Sequence, residues 1–113
     1  MNHHHKTECI FCSLYESQTG IIDQNEYAFV IKDINPQASI HYLIIPKSHI
    51  KDIYDSSHYS PSVIQGMFGL AQSVSESQSI EYSKLVINNG YKAGQRVFHM
   101  HMHMLSGQEI KAV

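Results

Sequence analysis

From Phe98 to Leu105 the chain reads Phe-His-Met-His-Met-His-Met-Leu, an alternation with a period of two. That period belongs to a β-strand, whose successive side chains point to opposite faces. A strand is therefore expected from Arg96 to Leu105, with His99, His101 and His103 on one face. Met100, Met102 and Met104 face the other way, where flexible thioethers pack as core. At about 3.3 Å per residue the outer two histidines stand roughly 13 Å apart. One metal ion cannot gather all three at ordinary Zn–N distances of about 2 Å. A lone histidine reads as a satisfied structural residue. Three in alternation place polar groups where half-buried strands usually carry Val or Ile, which points to chemistry.

The rest of the chain supplies partners for that strand. Glu26 to Ile31 (EYAFVI) is aromatic and β-branched and ends at the turn Asp33-Ile34-Asn35-Pro36. Ser39 to Ile45 (SIHYLII), closed by Pro46, is expected to pair with it as a hairpin or meander. A helix is expected from Ser60 as N-cap with Pro61 at its first position. Its apolar stripe is Val63, Met67, Leu70 and Val74, widened by Ile64, Phe68 and Ala71. Gly66 and Gly69 each cost a helix about 1 kcal/mol against alanine, so close packing against a sheet is expected there. Lys84 to Asn88 (KLVIN) reads as another strand, and a Gly-containing loop joins it to the histidine strand. The sum is an α+β fold: an antiparallel sheet of about five strands with one long helix on a face.

Composition narrows the function. At 113 residues and 42% hydrophobic content, the chain has material for one core. Residues 1–8 are expected to be a disordered tail and residues 9–113 a single domain. His3 to His5 fall in the tail and are given no catalytic role. No run approaches the ~20 apolar residues of a membrane span, and the first residues do not form a signal-peptide stretch; a cytoplasmic location with no membrane partner is expected. A net charge of −2 and a pI near 6.5 argue against a nucleic acid polymer as ligand. A single small nucleotide remains compatible. Two cysteines, Cys9 and Cys12, form no disulfide scaffold. Their Cys-x-x-Cys spacing reads as a redox motif, as unlinked structural thiols, or as half of a tetrahedral metal site lacking two ligands. No thioredoxin-like βαβ context accompanies it.

The string GQRVFHMHMHML resembles the signature of the histidine-triad superfamily. Upstream, Asp33-Ile34-Asn35-Pro36-Gln37-Ala38 and His41-Tyr42-Leu43-Ile44-Ile45-Pro46-Lys47-Ser48-His49-Ile50 resemble the matching region of its nucleotide-binding, HINT-like branch. With the helix between them, the similarity covers nearly all of residues 9 to 105. The resemblance implies a nucleotidyl hydrolase or transferase of phosphoramidase or dinucleoside polyphosphate hydrolase type. Its ligand is a purine nucleotide or nucleoside-phosphate conjugate, and two chains pair into a homodimer with one continuous sheet. It implies His101 as the nucleophile that becomes nucleotidylated, with His103 and Gln95 contacting the transferred phosphate and His41 behind the site. Asp33 corresponds to the ribose-binding carboxylate and Ile34 to the base-packing residue. Asn88, Gly94, Arg96 and Val97 correspond to further nucleotide contacts. Relatives with the cysteine pair complete a structural zinc site, one ion per chain, with the histidine after Pro-Lys-x and the first triad histidine. Here those are His49 and His99.

Two departures are visible. Arg96 stands where many relatives carry a hydroxyl residue near the leaving-group atom, and Ser13 to Asn25 is unlike the common pattern. The competing functions are a nucleotide-binding sensor with little turnover and a metalloenzyme using the alternating histidines as ligands. Turnover of a phosphoramidate separates the first, and loss of turnover on chelation the second.

Overall fold

The computed structural model describes residues 3–107 and Ile110; the part of the expected domain at residues 108, 109 and 111–113 lies outside the described residues. Helix α1 is Ile10–Ser17, strand β1 Asp23–Gln24, β2 Ala28–Lys32 and β3 Ile40–Pro46. Helix α2 is Pro61–Ser77, β4 is Lys84–Ile87 and β5 is Met102–Ser106, with a short 3-10 turn at Tyr91–Ala93. The strands form one sheet in the order β1-β2-β3-β5-β4, and every pair is antiparallel.

β2 and β3 are buried on both faces, which explains their near-continuous apolar runs. Ala28 and Val30 of β2, with Tyr42 and Ile44 of β3, face α2. Phe29, Ile31, Leu43 and Ile45 face the opposite way, into a cluster with Cys9, Phe11 and Cys12. The expected single helix is thus one of two. α1 covers the second face, and its Phe11, Leu14 and Tyr15 pack there at helical spacing, a pattern too short to mark a helix by itself.

α2 begins as expected. The Ser60 hydroxyl accepts from the Val63 N–H at 3.4 Å, and Pro61 occupies the first turn. Val63, Met67, Leu70, Ala71 and Val74 are buried against Met100, Met102 and Met104. Phe68, expected to widen that stripe, is exposed. Gly66 is explained by close approach, since a Cβ there would sit 2.7 Å from Tyr27 Cβ. Gly69 has open space around it, so the same explanation does not extend to it.

The histidine strand is shorter than expected: it begins at Met102, not Arg96. Ahead of it, backbone groups leave the ladder for the loop after β3, and the Met100 N–H donates to Ile50 O at 2.6 Å. The alternation survives this departure, because Met100 still enters the core beside Met102 and Met104. His103 sits opposite Leu43 on one side and Val86 on the other. Residues ahead of Cys9 also touch the rest of the chain. The His4 N–H donates to Ser48 Oγ at 3.2 Å, and its ring stacks on His58 at 3.8 Å. Among the described residues, no helix is long and apolar enough to cross a membrane.

Candidate functional site

The three alternating histidines have three different sets of partners, and those partners decide which ring nitrogen is free. A carbonyl oxygen can only accept. His99 Nε2 lies 2.8 Å from Pro46 O, so Nε2 carries the proton and Nδ1 is bare. His101 has the opposite arrangement: Nδ1–H donates to His99 O at 2.8 Å, and Nε2 is bare. Burial is the main influence on both rings. It pushes His99 down to about 4 and lowers His101 from the ordinary imidazole value. Both are therefore neutral at pH 7, with one lone pair each.

His103 is set by a chain of donors from β3. The Gln37 N–H donates to His41 Nδ1 at 2.9 Å, which leaves the His41 proton on Nε2. That Nε2–H lies 2.8 Å from His103 Nδ1 and 3.3 Å from Asp33 Oδ2. His103 Nδ1 accepts, so its remaining nitrogen, Nε2, is a donor. Burial first, then the neighbouring His101 and His41 rings, push His103 down to about 4, against the pull of Asp33. Asp33, His41 and His103 bring their polar atoms as close as metal ligands. The proton positions oppose a metal there, because His41 Nε2 is protonated for as long as Gln37 bonds its other nitrogen. The group is a proton-ordered chain.

His99 directs its bare Nδ1 to a different cluster. Cys9 Sγ lies 3.3 Å and Cys12 Sγ 3.6 Å from it, and His49 Nδ1 is 3.6 Å from Cys12 Sγ. All four ligand atoms lie within 4.8 Å of one another, and all four residues are buried. A tetrahedral zinc sets its S and N ligands roughly 3.3–3.8 Å apart, so the spacing suits that ion. The chemistry of the set also suits it. Burial pushes the Cys12 thiol up to about 11, and only a bound cation would make a thiolate stable there. The Lys6 N–H points at the same sulfur at 3.4 Å, a donor suited to thiolate. Four protein ligands close the shell, which is the pattern of a structural ion.

Beside His101 and His103 a cavity of about 370 Å³ opens on the α1 face of the sheet. Of the expected nucleotide contacts, Asp33, Ile34, Gly94, Arg96, Val97, His101 and His103 line it. Ile34 is 91% exposed, an apolar side chain available to a flat ring. α1 contributes Ile10, Phe11 and Leu14, a wall that sequence reasoning missed along with the helix. Phe11 packs its ring edgewise on both His101 and His99, at 5.2 and 5.7 Å between centroids.

Two expected contacts, Gln95 and Asn88, are not among the residues that line the cavity. Gln95 is buried, its Nε2 donating to Lys51 O at 2.7 Å and Val97 O at 3.1 Å. Its Oε1 accepts from the Gly90 N–H at 2.8 Å, so the whole amide is engaged in shaping the loop. Asn88 likewise donates to Ala93 O at 2.8 Å. It lies against Gly94, whose φ of +99° suits a residue without a side chain. His41 touches His103 and does not line the cavity.

The family described as "Scavenger mRNA decapping enzyme C-term binding" matches residues 8–111. The purine nucleoside phosphoramidase of Escherichia coli strain K12 is 32% identical over 107 residues, covering 91% of this chain and 90% of its own. The fold is similar to that of a HIT family hydrolase from Clostridium thermocellum, at 33% identity and a TM-score of 0.85, covering 96% of this chain and 97% of that one. A zinc-bound histidine triad family protein from Mycobacterium smegmatis is 30% identical with a TM-score of 0.75, over 89% of this chain and 76% of that one.

Proposed function

The chain belongs to the histidine-triad superfamily, and from that premise we propose that it is a nucleotidyl hydrolase or transferase working through a covalent intermediate on His101. The observation that carries this reading is the bare Nε2 of His101. Its ring is held by Nδ1–H to the His99 carbonyl at 2.8 Å and lines the cavity that also presents Asp33 and Ile34. A neutral imidazole attacks phosphorus well and departs well afterwards. A nucleoside monophosphate group would lie with its ribose hydroxyls toward Asp33 and its base against Ile34, a purine by likeness to the phosphoramidase. His103 would donate from Nε2 to a phosphate oxygen, stabilising charge as it develops. Water then cleaves the P–N bond and restores His101.

Cys9, Cys12, His49 and His99 would hold one zinc ion, as likeness to the zinc-bound relative also suggests. The ion would supply structural cross-linking and no reacting ligand position. The chain would act as a homodimer, pairing through the outer edge of β4, which ends the sheet order. Tyr82 and Leu85 are exposed beside that edge.

The decisive experiment replaces the nucleophile. His101→Asn is expected to bind nucleoside monophosphate while turnover falls at least about a thousandfold, the scale seen when a nucleophile is removed. Rapid quench of the wild type should trap an acid-labile, base-stable nucleotidyl adduct on His101. Retention of more than a tenth of the activity by the variant would show that another group makes the bond. Tight binding by the wild type with no turnover of either a phosphoramidate or a dinucleoside polyphosphate would identify a sensor instead.

A further inference from the structure

A second cavity, of about 270 Å³, adjoins the first and shares Ile10, Arg96 and Val97 with it. The reaction as described above makes no use of it. Its wall brings in Lys6, Glu8 and Phe98, together with Cys9 and His49 from the edge of the Cys and His cluster. Two cations therefore face one carboxylate here, on a chain whose formal charge is −2. Arg96 is held in place. Its Nη1 donates to Tyr91 O at 2.8 Å and Gln95 O at 3.2 Å, and the guanidinium lies 4.2 Å over the Tyr91 ring. Among the described residues no partner takes its Nε and Nη2 hydrogens.

Arg96 thus stands where the two cavities meet, and a substrate with its phosphorus at His101 can extend its leaving group past it. A guanidinium cannot give up a proton in a protein. It gives no acid catalysis to a departing amine, which must be protonated to leave. It does stabilise a departing phosphate, through charge and paired N–H donors. We infer that the second cavity is the leaving-group subsite, that Arg96 and Lys6 bind a phosphate-bearing leaving group there, and that nucleoside polyphosphates are preferred over phosphoramidates of uncharged amines.

The inference rests on the proposed role of His101. In the first step His101 Nε2 bonds to the α-phosphorus as the bond to the bridging oxygen breaks. That oxygen keeps the electron pair and leaves as part of a phosphate anion, with no proton required. Water then attacks the same phosphorus, the P–N bond breaks, the imidazole recovers its lone pair, and one water proton passes to solvent.

The test compares two substrates with the same adenylyl group, diadenosine tetraphosphate and an adenosine phosphoramidate of an uncharged amine. The readout is the ratio of their kcat/KM values. Arg96→Ser is expected to lower the ratio at least about tenfold, the range of a lost charged hydrogen bond. Lys6→Ala lowers it about threefold, as suits one exposed charge. Arg96→Lys, which keeps charge without the planar fork, recovers part of the ratio. Lys6 lies outside the loop that Arg96 braces, so its variant guards against a loop disturbed by Arg96→Ser. A ratio unmoved in both variants overturns the inference. Titration with inorganic tripolyphosphate gives a second readout that needs no turnover: both substitutions should weaken its binding, and indifference to both also overturns the subsite. Should the wild type cleave neither substrate, the proposed function fails, and the tripolyphosphate titration still decides the subsite.

Discussion

At the scale of single residues, the site is a set of proton positions. His99, His101 and His103 are one residue type at a regular spacing, yet Pro46 O, His99 O and His41 Nε2 leave them with a bare Nδ1, a bare Nε2 and a donor Nε2 in turn. The spacing shows that three histidines matter and share a face. It cannot show which nitrogen is bare, because two of the deciding groups are main-chain carbonyls brought close only by the fold. Nor does the motif show that the Gln95 side-chain amide is bonded within its own loop, to the Gly90 N–H and to Lys51 O. His103 also carries a pH signature. Its folded value of about 4 lies below the ordinary 6.5, chiefly through burial, with His101 and His41 adding to the effect and Asp33 opposing it. Between those values the unfolded chain binds a proton that the folded chain refuses. The stabilisation is thus complete above about pH 6.5 and is lost as pH falls toward 4. The urea midpoint of the wild type should drop between pH 7 and pH 5, and His103→Gln should show a shallower drop. Equal slopes in the two proteins would remove His103 as the source.

At the scale of elements, α2 was legible and α1 was not. Ser60-Pro61 followed by a regular apolar stripe marks a helix start by its own chemistry, and the cap contributes about 1 kcal/mol. α1 lacks such a mark. Its N-cap is Cys9, whose side chain makes no capping bond, and its C-cap is a left-handed Gln18 where a glycine is usual. Eight residues are too few for a helix that stands alone. Cys9 and Cys12 instead tie its first turn to His49 and His99. The histidine segment was overextended for a related reason: period two looks the same in a ladder and in an extended stretch whose hydrogen bonds go elsewhere. The metal reading now makes an element-level prediction. Protein purified without chelator should hold about one zinc per chain. Stripping it should raise hydrogen exchange across residues 10–17 while α2 stays protected, and should lower Tm by at least about 5 °C. Protein shown to be metal-free that keeps its Tm and the protection of α1 would refute the tie.

At the scale of the whole molecule, the sheet has one edge that invites a partner. β4 closes the order, no further strand is paired with its outer side among the described residues, and exposed Tyr82 and Leu85 lie beside it. Such an edge needs cover or pairing. Light scattering at micromolar concentration should report twice the chain mass of 12.9 kDa, and Leu85→Lys should shift it toward the single-chain mass. A wild type that stays at the single-chain mass would exclude the pairing. The sheet also divides the molecule by task. The α2 face is filled with apolar side chains, and the α1 face carries the cavity and the buried Cys and His cluster. β5 and the residues leading into it supply both faces in turn. Neighbours along this stretch therefore answer to different demands: positions 100, 102 and 104 need only apolar bulk of the right volume, while under the proposed function 99, 101 and 103 each need a particular lone pair or proton. Over generations, tolerance to substitution should rise and fall along this stretch with the pleat itself. Leucine or isoleucine could drift freely into one register, while the other, a single residue away, stays unchanged.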